Sequence, residues 1–245
     1  MGELDAAGSG LNPVDRLGLA LVGLLAHRSL GFDWLMHLFV SVDMLKLGVP
    51  VGLALYAWLD PRPEEPQPER ASRIAFSLLG VIVAIGFTRG IQDGLPPRQR
   101  PRQGEPWFDF PPLGGLPNLA DWSSFPSDHA GLVAALAVAA WAYSWKFGLA
   151  SALWGALVVC FPRLYFGYHY LTDLLAGATL GAVLTLAVMW LRWPAVLPRL
   201  LHDVQRRAFT LSALALFLVG YEFVSLFATT RRALGAMRDL VHALG

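Results

Sequence analysis

Apolar runs of about twenty residues, separated by short polar stretches, recur along the chain and leave few folds open to it. A helix needs about 20 mostly apolar residues to cross a bilayer. Backbone groups in hydrocarbon must bond internally, so only helices and closed barrels cross. The runs are continuous rather than alternating, which argues against a barrel. About six segments meet the length, near residues 33–59, 72–92, 128–145, 147–166, 170–192 and 207–229. Residues 13–28 are apolar but closely flanked by charge, and read as an interfacial helix. The expected fold is all-α: a polytopic helical membrane bundle of about six transmembrane helices plus that N-terminal interfacial helix. Three regions follow: an N-terminal segment at 1–32, a core at 33–192, and an additional transmembrane helix with a tail at 193–245.

Charged residues make up 15% of the chain, against about 25% in soluble domains. A net charge of +1 implies no nucleic-acid partner. Cys160 stands alone in an apolar run, which excludes an internal disulfide or a cysteine metal cluster and leaves packing as its role. The stretch from Gly2 to Asn12 lacks the basic start of a cleavable signal peptide, so the spans themselves are expected to direct insertion.

Two spaced polar motifs sit at span ends. The first is Phe125-Pro126-Ser127-Asp128-His129-Ala130. Ser127 follows a proline and precedes a helix, a good N-cap arrangement, and free amides plus the macrodipole at such a start attract an anion. His129 lies on the first turn beside it. The second is Arg163, then His169 and Asp173. Four residues apart on a helix, His169 and Asp173 share a face. A carboxylate on one imidazole nitrogen fixes the tautomer and frees the other nitrogen to attack. Each residue alone has an ordinary reading: a cap, a surface pair, an arginine snorkelling to headgroups. Their joint occurrence in order points to a phosphate site, and the adjoining spans point to a lipid as its carrier.

Pro126-Ser127-Asp128-His129 and Arg163-x5-His169-x3-Asp173 resemble the second and third motifs of the type-2 phosphatidic-acid phosphatase superfamily. That resemblance implies a metal-free removal of phosphate from lipid phosphates or diphosphates, without cofactor. His169 would be the nucleophile that forms a phosphohistidine, and Asp173 would orient it. His129 would protonate the leaving oxygen and then activate water. Ser127, Arg163 and the first-motif arginine, Arg100, would hold the phosphoryl oxygens.

The chain departs from the family pattern in three places. The first motif usually reads Lys-x6-Arg-Pro; Arg100-Pro101 supplies its end, but Asp93 stands at the lysine position. Arg89 or Arg98 is expected to supply the missing charge, with Lys46 a possible substitute, while Arg102 is read as a solvated loop arginine. Asp128 replaces the usual glycine, a form that resembles bacterial members acting on undecaprenyl diphosphate, and it is grouped with the phosphate-binding residues. Pro162 replaces the usual serine before Arg163. Asp43 and Lys46 lie three apart within the first span and read as a structural pair or as part of the site; Glu222 interrupts the sixth span. Gly177 and Gly181 form a GxxxG packing pattern. Loop 95–126 carries eight prolines and the aromatics Trp107, Phe108, Phe110 and Trp122; Trp107, Phe108 and Trp122 suit an interfacial belt or an entry for a prenyl chain.

The expected function is a lipid phosphatase or diphosphatase, with undecaprenyl diphosphate ahead of phosphatidic acid, phosphatidylglycerophosphate or a lipid A phosphate. A lipid phosphotransferase and a non-catalytic anionic-lipid transporter are the alternatives. The partners are the lipid substrate and the bilayer. The resemblance implies a bacterial-type inner membrane, and arginine and lysine placement favours the site facing the periplasm or outside, though Arg231, Arg232 and Arg238 of the tail run against that orientation.

Overall fold

A computed structural model describes residues 11–59, 67–104, 123–191 and 207–224, together with residues 108, 110, 113, 200, 203 and 204. All regular elements among them are helical. They are α1 (Pro13–Gly23), α2 (Leu30–Ser41), α3 (Asp43–Leu59), α4 (Gln67–Gly94), α5 (Pro101–Gly104), α6 (Asp128–Tyr143), α7 (Trp145–Tyr165), α8 (Leu171–Trp190) and α9 (Phe209–Val224). The tail arginines and the aromatics Trp107 and Trp122 lie outside the described residues.

Three helical segments are long and apolar enough to cross a membrane: Ala75–Gly94 within α4, α7 and α8. The expected single span over 33–59 is instead α2 and α3, bent by 61° at Val42, and it counts as a fourth only if the pair is one broken span. Val42 is extended, at φ −99° and ψ 102°. α6 is apolar but only 16 residues long, or about 24 Å, short of the ~30 Å hydrocarbon core. The sequence has six apolar segments because hydropathy counts composition; the helices that form from them differ in length and continuity.

α8 is the central element, packed against α6 and α4. The two glycines of its GxxxG pattern explain how close it comes. A Cβ on Gly177 would lie 2.1 Å from the Ser127 carbonyl oxygen, and one on Gly181 2.0 Å from that of Gly131. Backbone therefore touches backbone where α6 begins, and the first turn of α6 is pinned onto α8. α1 also packs on α7 and α8, with Asp15, Gly18, Leu19 and Val22 buried. It is thus built into the bundle's end, beyond the surface role expected of an interfacial helix.

One core cluster joins Leu47, Val51, Val81, Leu132, Leu136 and Val159 between the spans. A second caps the end of the bundle with Phe108, Phe110, Tyr165, Phe166 and Tyr168. Phe108 is 1% exposed and would meet any side chain at Gly167, whose φ is +63°. Neither of the two readings describes Phe108, which with Phe110 packs against the turn at Phe166 and Gly167. Glu222 is half-buried in α9, which packs on α3.

Candidate active site

The site forms where three backbone segments meet: the start of α6, the turn between α7 and α8, and the stretch after α4. Ser127 caps α6, its hydroxyl accepting from the Ala130 amide at 3.4 Å, while its own amide donates to the Asp173 carbonyl at 3.1 Å. Asp173 is three residues into α8 and accepts from the Tyr170 amide at 2.8 Å, the return half of a capping box. These local bonds fix the two motifs against each other.

His169 is buried, 3% exposed. Its Nδ1 lies 2.8 Å from the Ser124 carbonyl oxygen and 3.8 Å from Asp173 Oδ2. A carbonyl only accepts, so Nδ1 carries the proton and Nε2 keeps its lone pair. The backbone of Ser124, rather than Asp173, is the direct partner. Burial pushes the His169 pKa down to about 3, and the charge of Arg100 adds to that; Asp128 opposes, and Arg163 acts with Arg100. The imidazole is therefore neutral across the physiological range.

His129 and Asp128 form a second pair. Asp128 Oδ1 accepts from the His129 amide at 2.7 Å and lies 2.8 Å from His129 Nδ1. Its Oδ2 is 2.6 Å from Arg89. The helix-start amides of His129 and Ala130 are thus taken by Asp128 and Ser127. Asp128, grouped above with the phosphate ligands, turns inward to orient a histidine, and Arg89 neutralises it instead of presenting a free charge. Arg89 Nη1 also donates to Gln92 at 3.1 Å.

The remaining cations divide by location. Arg100 is 4% exposed and donates to the Tyr168 carbonyl at 2.7 Å. Burial lowers its pKa, against the opposing pull of Asp128 and Asp173. Arg163 is 5% exposed and donates to the Val159 carbonyl at 3.0 Å. Both act electrostatically on His169. Arg98 lies elsewhere, 2.5 Å from Asp173 and 2.7 Å from Asp15, with Tyr170 stacked at 4.3 Å. It clamps carboxylates behind the histidine. Burial lowers the Arg98 pKa less than Asp173 and Asp15 raise it, so it is held up. Lys46 is buried, pairs with Asp43, and lies within electrostatic reach of Arg163 and Asp128. Arg102 is half-buried in α5, 4.9 Å over the Tyr168 ring, so it is not the solvated loop arginine of the sequence reading.

Two carboxylates escaped the sequence reading. Asp15 is 1% exposed and accepts from the Thr172 amide at 2.9 Å, the Thr172 hydroxyl at 2.8 Å and Arg98. Burial would raise its pKa, but those hydrogen bonds outweigh it and hold it low. Asp33 accepts from the Tyr165 hydroxyl in the cap cluster. Both carboxylates sit in first turns of apolar helices, and that isolation among apolar residues was the available signal. Among the described residues, no group of three or more His, Cys, Asp or Glu is arranged to hold a metal ion.

Comparison with known proteins agrees with this constellation. The chain is 27% identical over 183 residues to "Putative undecaprenyl-diphosphatase YbjG" of Escherichia coli (strain K12), covering 72% of this chain and 84% of that protein. It is 25% identical over 183 residues to "Lipid A 1-diphosphate synthase" of the same organism, covering 70% of each. No solved structure matches the chain significantly. The PAP2 superfamily profile matches residues 70–197, just over half of the 245 residues, and with both histidine motifs inside that range the chain belongs to the PAP2 superfamily, as a membrane lipid phosphatase.

Proposed function

We propose that the protein hydrolyses the terminal phosphoanhydride of undecaprenyl diphosphate, from the outer face of a bacterial-type cytoplasmic membrane. The observation that carries the chemistry is the fixed His169 tautomer: with Nδ1 bonded to Ser124, Nε2 is the nucleophilic nitrogen. In the first step Nε2 bonds to the terminal phosphorus, and the bridging P–O bond breaks. Burial and the charge of Arg163 keep His129 neutral in the free site; with the anionic phosphate bound among the site's cations the ring, oriented by Asp128, takes up a proton and gives it to the departing undecaprenyl phosphate. In the second step His129 takes a proton from water, the hydroxide bonds to phosphorus, and the P–N bond breaks to release inorganic phosphate. Arg100, Arg163 and Ser127 hold the phosphoryl oxygens, where preorganised charge lowers the barrier most.

Arg89 and Arg98 are assigned to positioning, on Asp128 and on Asp15 with Asp173 respectively. Lys46 then becomes the leading substitute for the absent first-motif lysine. The catalytic core is assigned to 33–192, with 193–245 an addition, and α1 of the 1–32 segment supplies Asp15 to the core.

Support for a diphosphate substrate comes from the Asp128 form of the second motif and from the likeness to YbjG. The test is phosphate release from undecaprenyl diphosphate, phosphatidic acid and phosphatidylglycerophosphate by purified protein in detergent. The highest kcat/KM is expected for undecaprenyl diphosphate; a preference for either glycerolipid would overturn the assignment. The likeness to a lipid A 1-diphosphate synthase supports a second reading, transfer of the phosphoryl group to an acceptor lipid. A phosphorylated lipid product that appears only with added acceptor would establish it.

A further inference from the structure

Three arginines converge on one residue of the turn between α7 and α8. The Tyr168 amide donates to the Arg163 carbonyl at 2.9 Å. The Tyr168 carbonyl accepts from the Arg100 side chain at 2.7 Å. The Arg102 guanidinium lies over the Tyr168 ring, 4.9 Å from its centroid. Tyr168 is buried; its hydroxyl accepts from Arg102 and feels the charges of Arg163 and Arg100. Those last two arginines also act on His169. Tyr168 and His169 therefore share two cations, and Arg102 adds a third on the Tyr168 side.

Local backbone explains the arrangement. Pro101 starts the single turn α5, and Gln103 closes it: its amide donates to the Arg100 carbonyl at 3.0 Å, and its Oε1 accepts from the Arg100 amide at 2.8 Å. The Arg102 amide donates to the Gly167 carbonyl at 3.0 Å, which fastens this turn to the segment before His169. Two arginines two positions apart thus reach different parts of Tyr168, one its carbonyl and the other its ring.

The cations of the site differ in what they already hold. Arg89 contacts Asp128, Arg98 contacts Asp15 and Asp173, and Lys46 contacts Asp43. Arg102 Nη1 is buried and, among the described residues, has no hydrogen-bond partner. A charged donor left so is costly and uncommon, and it calls for an acceptor. Stacking on Tyr168 holds the guanidinium plane but gives Nη1 no acceptor. Burial pushes the Tyr168 pKa up, against the charges of Arg102, Arg163 and Arg100, so the phenol keeps its proton at neutral pH. A phenol that accepts from a guanidinium still has an O–H to donate.

We propose that Arg102 and the Tyr168 hydroxyl hold the second phosphoryl group of a diphosphate substrate, the one that stays on the lipid. The proposal rests on the lipid-diphosphatase reading and adds what selects a diphosphate over a monoester. The transferred group lies against His169, Arg100 and Arg163. The donors adjoining that place on the same turn are the Tyr168 hydroxyl and Arg102, and a guanidinium fork suits phosphate oxygens. The departing lipid phosphate gains charge as the bridging bond breaks, so fixed donors there act on the transition state as well as on binding.

The test compares two lipids that differ by one phosphoryl group. Purified protein in detergent is assayed on undecaprenyl diphosphate and undecaprenyl monophosphate. Arg102→Gln is expected to lower the diphosphate-to-monophosphate ratio of kcat/KM by about tenfold or more. Tyr168→Phe, which keeps the ring beneath Arg102, should lower it by about threefold or more, and Arg102→Lys should recover part of the ratio. A ratio unchanged in both Arg102→Gln and Tyr168→Phe would overturn the proposal, because a structural role moves both substrates alike. Binding supplies a readout that needs no turnover. Dissociation constants of inorganic phosphate and of methylenediphosphonate, which carries two phosphoryl groups and no cleavable bridge, are measured by thermal shift. Wild-type protein should prefer the diphosphonate by about tenfold or more, and Arg102→Gln should erase most of that preference. Equal affinities in wild type, or a preference that survives Arg102→Gln, would overturn the subsite. Protein that cleaves no lipid yet shows the Arg102-dependent preference loses the phosphatase reading alone. Protein that cleaves undecaprenyl diphosphate without that preference loses the subsite alone.

Discussion

Asp15 and Thr172, 157 positions apart, are joined through both donors of Thr172: its amide donates to Asp15 Oδ1 at 2.9 Å, and its hydroxyl is shared between Oδ1 at 2.8 Å and Oδ2 at 3.0 Å. Thr172 precedes Asp173, and Arg98 bridges the two carboxylates. An N-terminal helix thereby fixes the base of the third motif.

Asp15→Ala removes a buried acceptor, leaves the Thr172 amide without that partner, and turns all of Arg98's charge on Asp173. Breaking one side of such a network typically costs about 3–5 kcal/mol when buried, and less here because Arg98 is 30% exposed. A clear drop in thermal midpoint in detergent is expected. Asp15→Asn keeps an acceptor for Thr172 but loses the charge, so it should remain folded and show a lower kcat. Wild-type kcat and midpoint in both variants would reduce α1 to a surface helix.

His169→Ala should abolish turnover, by about ten thousandfold or more, and remove any acid-labile phosphoenzyme trapped from labelled substrate. Asp173→Asn should lose about a hundredfold, because Ser124, not Asp173, holds Nδ1 at hydrogen-bond distance. Residual His169→Ala activity within tenfold of wild type takes the nucleophile's role from it.

The parts of this site that were legible in the sequence share a cause. Ser127, His129, Arg163, His169 and Asp173 lie within 50 residues at the ends of apolar helices, and the GxxxG glycines that bring the segments together follow one helical period. What stayed hidden needed either distance or backbone. Asp15 meets Thr172 only after the whole bundle closes. Ser124 acts through its carbonyl, which every residue has. Arg98 looked like a phosphate ligand by its place beside Arg100, yet neighbouring residues in an irregular loop face different ways. The break at Val42 involves no proline or glycine, so composition gave no sign of it.

The His169 pKa of about 3 sets two pH expectations. Its folded value lies below the ordinary 6.5, so the fold favours the neutral ring. The unfolded chain binds more protons between those values, and stability must fall as pH drops from about 6.5 towards 3. This contribution is complete above that window. In protein with isotope-labelled histidine, the His169 ring should keep its neutral chemical shift to about pH 4. A midpoint near 6.5 would contradict the buried, arginine-flanked site.

Phosphate release should persist in EDTA. The cations expected on the phosphoryl group are guanidinium groups, and the nearby carboxylates Asp128 and Asp173 are already engaged by Arg89 and Arg98. Activity that disappears with chelator and returns with one divalent ion would require a different mechanism.

The last expectation concerns the cation that the first motif lacks. A diphosphate needs several fixed positive charges at the transferred phosphoryl group, and losing one such donor usually costs about 10²–10³ in rate. Arg100→Ala and Arg163→Ala should each lose at least about a hundredfold. Arg89 and Arg98 are held by carboxylates, so their alanine variants should lose activity through misplacement of His129 and Asp173. Lys46 differs from them. It is buried with Asp43 as its ion-pair partner and reaches the charges of Arg163 and Asp128. If it supplies the missing charge, Lys46→Met should lower kcat by about a hundredfold on the diphosphate, and Lys46→Arg should restore part of it. Asp43→Asn should then be mild, since it frees the ammonium for the phosphate. A purely structural pair gives the opposite pattern: Lys46→Met and Asp43→Asn would lower the thermal midpoint equally and leave kcat unchanged in the protein that folds. Kinetic and melting data on these three variants separate the two.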